Sequence, residues 1–237
     1  MHRAVDLILS LLFLVGLVAV VIGNPDPLAR DALCQSSLIC FRSDHAAFWN
    51  SLIYEFGLAS VVSVIFYWLL VKLPDTAKKR RLRNYLTKSY HAFRRDAVLT
   101  LLFASGEHSV DYDVVDELTP QSAFRDHFKQ NSVQVNGDKW HDVQNNINEY
   151  QIRELFTALT ILRDDIQYVL NNTEIADQSS FDFLQRLSKA IFSHDPASDN
   201  YDDRKALFGF LWSLMSGWNV VKGYQPEDPI YRIIRRI

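Results

Sequence analysis

Few residues of this chain stand in patterns that support catalysis. The sequence contains no GxSxG, GxxxxGK[ST], GxGxxG or HExxH motif, and no cysteine follows residue 40. His108 with Asp111 and Asp113 offers nitrogen and oxygen donors for a metal, but an acidic surface loop explains the same residues. The other histidines of the C-terminal part lack metal-ligand spacing: His91, His127, His141 and His194. We therefore predict a protein that is not an enzyme and that has no cofactor or metal.

Two acids lie in or beside long uncharged runs, where a carboxylate is a candidate for moving ions or protons. Asp6 lies near the start of the first run, and Glu55 directly precedes the second. Both are expected within the first turns of their helices, where the helix dipole favours negative charge and water is near. A structural role is therefore expected, and ion or proton handling is the alternative.

The uncharged runs predict two membrane spans, at about residues 4–23 and 55–73. A hydrocarbon core of ~30 Å requires about 20 residues of helix, which both runs provide. Lys72 can extend its ammonium toward water, and Pro74 is expected to end the second helix. The first run could instead be a cleavable signal peptide, but it is long for that role, and a retained span is expected.

The distribution of charge predicts the orientation of the spans. Residues 72–95 contain nine Lys and Arg and one acid, whereas the loop at residues 24–50 contains only two Arg. Positively charged flanks stay in the cytoplasm, so both the N-terminus and the C-terminal part are expected there, with the loop outside. Cys34 and Cys40 both fall in this loop, where an oxidising compartment would allow a structural disulfide.

A basic segment follows the second span: Lys78, Lys79, Arg80, Arg81 and Arg83. Its charges surround the helix and suit contact with anionic headgroups. Nucleic acid is a less favoured alternative, with Tyr85, Tyr90 and Phe93 for stacking. From residue 96 to 237 the chain has 13 Lys and Arg against 22 Asp and Glu, a balance that favours basic partners.

Small residues within the spans mark where helices can approach each other closely: Gly16, Ala19, Gly23, Ala59 and Ser63. They are expected to pack the two spans together, or to join spans of different copies. A single pair of spans encloses no aqueous path, so a pore would require several copies.

The C-terminal part has helical periodicity almost throughout. A helix is expected over residues 75–105, followed by an acidic loop with Asp111, Asp113, Asp116 and Glu117. A shorter helix from Thr119-Pro120 to about Gln130 and a turn at residues 133–137 come next. The longest helix is expected from about Asp138 to Leu170, with a stripe through Tyr150 that resembles a coiled-coil seam with a stutter and could serve self-association. Further helices are expected at about residues 180–192 and 202–218.

The last residues form a basic amphipathic pattern over 230–237, with the residues Ile230, Arg232, Ile233, Ile234, Arg235, Arg236 and Ile237. The isoleucines share one helical face, and the arginines lie opposite. This segment could dock on a membrane or a partner, or pack on its own domain; the two interpretations are nearly equal.

These observations predict an all-α membrane protein. A transmembrane hairpin occupies residues 1–73, a basic juxtamembrane helix 74–105, and a cytoplasmic helical bundle 106–237. The layout is similar to that of small two-span effectors of bacterial defence modules, a similarity of architecture that no motif carries. It suggests a bacterial inner (plasma) membrane protein.

Three functions from different classes are consistent with this layout, the least favoured being a membrane-associated enzyme with an unrecognised helical active site. The first is a non-enzymatic effector or sensor, whose domain receives a signal or partner and whose spans form a homo-oligomer that permeabilises the membrane. The second is a membrane-tethered adaptor that recruits a cytoplasmic protein or nucleic acid to an anionic lipid bilayer.

Overall fold

The computed structural model describes residues 2–23, 44–107, 109–132, 137–194 and 200–237, and its backbone is helical over most of that length. The chain divides into two compact units, Met1–Ala77 and Lys78–Ile237. The all-α expectation is confirmed, since the described residues contain only one short two-stranded sheet.

The first unit is a pair of apolar helices, α1 (His2–Ile22) and α2 (Asp44–Tyr67). By length and composition, two candidate membrane spans are found: Val5–Ile22, with a mean hydropathy of 2.9, and a window of mean hydropathy 2.0 within the continuous helix Phe48–Ala104 that includes most of α2. Most of their large side chains are exposed, unlike those of a core helix in a water-soluble domain. The second helix begins earlier than the predicted residue 55.

Pro74 does not end the second helix, contrary to the prediction. A π-helical turn covers Trp68–Lys72, and α3 (Leu73–Ala104) continues from it through Pro74. Proline removes one backbone donor and crowds the preceding turn, so it usually kinks a helix. The wider π-helical turn directly before Pro74 locally replaces the regular hydrogen-bond ladder, which is how the helix accommodates the ring.

The second unit continues from α3 with seven further described helices. Their bounds are α4 (Tyr112–Leu118), α5 (Gln121–Phe128), α6 (Lys139–Asn146), α7 (Glu149–Asn172), α8 (Gln178–Phe192), α9 (Tyr201–Ser216) and α10 (Pro229–Ile234). Between α9 and α10, strands β1 (Trp218–Asn219) and β2 (Gly223–Tyr224) pair as an antiparallel hairpin. The helices near residues 180–192 and 202–218 thus form close to where they are expected.

One apolar core joins these helices. The buried positions of α3 recur at Leu86, Tyr90, Phe93, Ala97 and Leu101, the predicted three-and-four spacing. A second part of the core is aromatic and joins α5, α6 and α9 through Phe124, Phe128, Trp140, Phe208 and Trp212. The uncharged stretch of α9 is therefore a core helix.

The predicted single helix over residues 138–170 is wrong. Asn148 interrupts it and caps α7: its side chain accepts from the Gln151 N–H at 2.9 Å, while the Gln151 side chain accepts from the Asn148 N–H at 3.0 Å. The stutter in the predicted stripe, a five-residue step from Tyr150 to Leu155, lies just after this break, within α7. Tyr150 is 69% exposed, so it belongs to no seam within the domain.

The predicted acidic loop is also partly wrong, because its residues form α4. Asp111 caps this helix by accepting from the Asp113 N–H at 3.2 Å, and Val115 and Leu118 anchor it in the core. His108, which the sequence offers with Asp111 and Asp113 as a possible metal ligand, lies outside the described residues. Most of the turn predicted at residues 133–137 lies outside them too.

Candidate functional site

The face on which α1 and α2 contact each other is built from small residues. A Cβ atom on Gly57 would lie 2.8 Å from the Gly16 carbonyl oxygen and 2.9 Å from the Ala19 Cβ. Gly23 is equally close to α2, at Asn50. Three of the small residues singled out in α1 therefore face α2, and Gly57 completes the contact. Such contacts matter in lipid, where packing replaces the hydrophobic drive between helices.

The other two small residues lie elsewhere. Ala59 and Ser63 are exposed and do not face α1. They share the outer surface of the hairpin with large apolar side chains such as Leu7 and Phe56, each 72% exposed. The hairpin thus has an inner face filled by its own packing and an outer face of apolar groups with two small residues one turn apart.

The two acids of the spans have different surroundings. The Asp6 carboxylate accepts a charged hydrogen bond from Lys72 Nζ at 2.5 Å, which joins the first turns of α1 to the π-helical end of the second span. Glu55 is exposed and lies 11 residues after the start of α2, so its expected place in the first turn is wrong. Because Asp6 and Lys72 pair with each other, their opposite charges compensate each other at this end of the hairpin.

The basic segment Lys78–Arg83 lies on α3 as expected, at the beginning of the second unit. Lys78, Arg80 and Arg81 are exposed, and Lys79 and Arg83 are half-buried. The last two arginines counted in the basic stretch differ from these. Arg94 is only 1% exposed, and Arg95 pairs with Asp116 on α4 at 2.7 Å.

Arg94 is the centre of a buried polar cluster. Its guanidinium donates to the Thr119 carbonyl at 2.6 Å and the Met215 carbonyl at 2.9 Å, and it pairs with Asp228 at 3.1 Å. The Tyr90 hydroxyl donates to the same Asp228 oxygen at 2.8 Å. Burial, the larger effect, raises the pKa of Tyr90 far above its usual range, so this phenol stays neutral.

This cluster satisfies polar groups at the ends of several helices. Thr119 directly follows α4 and Met215 belongs to the last turn of α9, and such carbonyls have no partner within their own helix. The second oxygen of Asp228 accepts from the Ile230 N–H at 2.8 Å and caps α10. The planar fork of arginine can serve all these acceptors at once, so the arrangement is structural.

The C-terminal helix packs on its own domain. Ile230, Ile233 and Ile234 are buried in the core, so the apolar face expected to dock on a membrane or partner is covered. Arg232, Arg235 and Arg236 are exposed, as is typical of the outer face of a surface helix. Arg235 pairs with Glu227, and Arg236 lies 3.6 Å from Asp177. Ile237 packs at the edge of the same core.

A groove runs along the domain surface between α3 and α7. One part has a volume of about 390 Å³ and lies beside Ala92, Asp96 and Ile161. The other part has a volume of about 540 Å³ and lies beside Phe103, Tyr150 and Glu154. Buried side chains form its floor: Phe93, Ala158 and Leu162. The groove is thus a concave and mainly apolar surface of this unit.

A hydrogen-bonded cluster closes one end of the groove. The hydroxyls of Tyr85 and Ser89 donate to the two oxygens of Asp165. The hydrogen bond to Asp165 is the main cause that raises the pKa of Tyr85 to about 12. At mid-groove, burial and then the nearby Glu154 carboxylate raise the pKa of Asp96 despite the opposing charge of Arg95.

Comparisons with known proteins add no identification. No protein-family model, curated protein or solved structure matches this chain. The described residues contain no cluster of three or more His, Cys, Asp or Glu that could hold a metal. Cys34 and Cys40, the predicted disulfide, lie outside the described residues.

Sequence reasoning missed three groups that the structure brings together. The Asp6–Lys72 pair joins residues 66 positions apart, and no local pattern reveals it. Arg94 lies in a basic stretch that suggests exposure, although its position on the apolar stripe of α3 was a usable signal. The groove depends on which faces of α3 and α7 stay uncovered, a property of tertiary packing.

Proposed function

We propose that this chain is a non-enzymatic integral membrane effector or sensor. The helical hairpin lies in the bilayer, the C-terminal domain lies in the cytoplasm and receives a signal or partner, and spans of several copies associate and open the membrane. An anionic bacterial inner (plasma) membrane is the expected location.

The outer face of the hairpin is the observation that carries this proposal. Gly16, Gly23 and Gly57 are used in the contact between α1 and α2. Ala59 and Ser63 are exposed among large apolar groups, and a small-xxx-small pair is the kind of surface on which helices associate in lipid. Copies would therefore meet through this outer face of α2.

The proposed orientation rests on charge. The Lys72 end of the hairpin continues into the basic segment Lys78–Arg83, whereas the loop at residues 24–43 has two Arg and two Asp. Basic flanks remain on the cytoplasmic side during insertion, and anionic headgroups attract them further. A reporter fused after Ile237 that is active only outside the cytoplasm would contradict this orientation.

The experiment compares the full chain with the double variant Ala59→Leu/Ser63→Leu in detergent and in vesicles. Larger side chains on this face should reduce the multimer seen by light scattering, and should reduce dye release from vesicles in parallel. Ser10→Leu is the matched control, because it places the same side chain on an exposed position of α1. A wild-type chain that is strictly monomeric and releases no dye would contradict the proposal.

The second candidate is a tethered adaptor, for which the hairpin is only an anchor. The groove between α3 and α7 favours it, since an exposed apolar groove on a tethered domain suits recruitment of a cytoplasmic protein. Replacing residues 1–73 with an unrelated two-span anchor separates the two functions. The adaptor would keep its activity, whereas the effector would lose it.

A further inference from the structure

The groove between α3 and α7 has the dimensions of a helix-binding site. It extends from Tyr85 to Phe103 along α3, and 18 residues of helix correspond to about 27 Å. The two helices run in opposite directions, because Tyr85 lies beside Asp165 while Phe103 lies beside Tyr150. A partner helix that follows the whole length of the groove would have about five turns.

Apolar groups line the groove along its whole length at helical spacing. On α3, Ala92, Leu99 and Phe103 follow one another at steps of seven and four residues. On α7, Tyr150 is 69% exposed and Ile161, eleven residues later, is 56% exposed. Large apolar groups that remain exposed on both walls of one groove are typical of a surface that a partner covers.

The charges of the groove discriminate between possible occupants. Asp96 and Glu154 lie on opposite walls, whereas Glu107, at the Phe103 end, already pairs with Lys139 at 3.7 Å. Lys88, at the opposite end, is the one Lys or Arg among the lining residues. The lining is thus mainly acidic from mid-groove to the Phe103 end, where a helix with basic flanks would find complementary charges.

We propose that this groove binds an amphipathic helix of a partner protein, with an apolar stripe facing the floor and Lys or Arg on the flanks. The proposal deepens the proposed function, since it rests on the domain receiving a protein partner. A second copy of this chain fits less well, because a two-fold contact through the groove would bring the acids of both copies together. The basic helix α10 of this domain cannot be the occupant, because its apolar face is already buried.

The test uses two fluorescent peptides of about 18 residues, a length that spans about 27 Å of helix. Both carry the same leucine stripe; one has lysine flanks and the other glutamate flanks. Each is titrated against the full chain in nanodiscs of zwitterionic lipid, with empty nanodiscs as the blank, and binding is read as fluorescence anisotropy. Neither the oligomeric state nor dye release enters this readout.

Two groove variants are compared with two matched controls. Asp96→Lys/Glu154→Lys reverses the charge of both walls, and Ile161→Asp places a charge on the apolar wall. Asp126→Lys reverses one charge and Val221→Asp adds one, both at strongly exposed positions outside the groove, on α5 and on the β1–β2 turn. All altered side chains are exposed, so the fold is expected to persist and is checked by circular dichroism.

The lysine-flanked peptide should bind the wild type at least about tenfold more tightly than the glutamate-flanked one, a difference of about 1.4 kcal/mol. The charge-reversed variant should invert this preference, Ile161→Asp should weaken both peptides, and the controls should leave binding unchanged. Equal binding of the two peptides, or no binding, would overturn the proposal. A change of particle mass on Ile161→Asp would overturn it too, because the groove would then join copies of this chain. The variant Ala59→Leu/Ser63→Leu tests oligomerisation separately: it should lose the multimer and still bind the lysine-flanked peptide as the wild type does.

Discussion

Replacing Arg94 with Met should strongly destabilise the C-terminal domain. Methionine keeps the bulk of the arginine stem but removes the donors to the Thr119 and Met215 carbonyls. It also removes the partner of the Asp228 carboxylate, which is itself almost fully buried. The variant therefore leaves a buried carboxylate without its counter-ion and two buried carbonyls without the arginine donors.

The decrease in the free energy of unfolding follows from the loss of one partner of the buried ion pair. Breaking a buried ion pair from one side costs about 3–5 kcal/mol. For a domain of this size, each kcal/mol lowers the melting temperature by about 2–4 °C, so a fall on the order of 10 °C is expected. The neighbouring Arg95 is the matched control: it is 39% exposed and pairs with an exposed Asp116, so Arg95→Met should cost at most about 1 kcal/mol.

The assay is thermal unfolding of the full chain in detergent, followed by the fluorescence of Trp140 and Trp212 in the core of this domain. Adding Asp228→Asn to Arg94→Met should recover part of the loss, because the unpaired charge disappears while the amide can still cap α10. Equal melting temperatures for Arg94→Met and Arg95→Met would refute the reasoning. So would strict additivity in the double variant.

Three further predictions concern other parts of the chain. Gly57→Val should disrupt the hairpin, since its Cβ would lie 2.8 Å from the Gly16 oxygen; overpacking of this kind costs about 1–3 kcal/mol, read as earlier heat-induced aggregation in detergent. Asn148→Ala should remove the cap of α7 at a cost of about 1 kcal/mol, measured by thermal unfolding of the domain. Tyr85 should ionise at about 12 instead of 10, and Asp165→Asn should return this pKa toward 10, followed by tyrosinate absorbance. Because the folded-state pKa is raised, the stabilisation is present below pH 10 and is lost as the pH rises through about 12.

Each of these predictions has its own control. Ser10→Val places the same new side chain on an exposed face of α1 and should leave aggregation unchanged. Asn145→Ala, within α6, removes no cap and should not lower the melting temperature. Tyr112→Phe removes an exposed phenol outside the groove, so the absorbance change near 12 should persist in this variant.

Helices and candidate spans were predictable because they depend on local periodicity. The apolar stripe of α3 and the apolar run of α9 are visible in the sequence, and both pack in the core of the structure. The break at Asn148 was predictable in principle, since Asn148-x-x-Gln151 is a capping-box pattern. The apolar stripe continues across this pattern, so periodicity alone predicts one helix, even though the spacing of the stripe is irregular after Tyr150.

Features that depend on distant contacts were not predictable. Whether Arg94 is exposed or buried depends on acceptors that the chain supplies up to 134 residues later. The same holds for the isoleucines of α10, whose pattern fits either a docking peptide or a core helix. The prediction that Pro74 ends the second helix was wrong because the π-helical turn before it has no reliable sequence signature.

The link between Arg94 and Asp228 has a consequence during synthesis on the ribosome. The arginine emerges early, soon after the spans, whereas Asp228 and the isoleucines of α10 emerge last among these elements. Until then the guanidinium lacks its counter-ion and the core lacks its closing helix. Nascent or truncated chains that lack α10 would thus keep the core of the second unit open, which makes them natural substrates for chaperones and quality-control proteases.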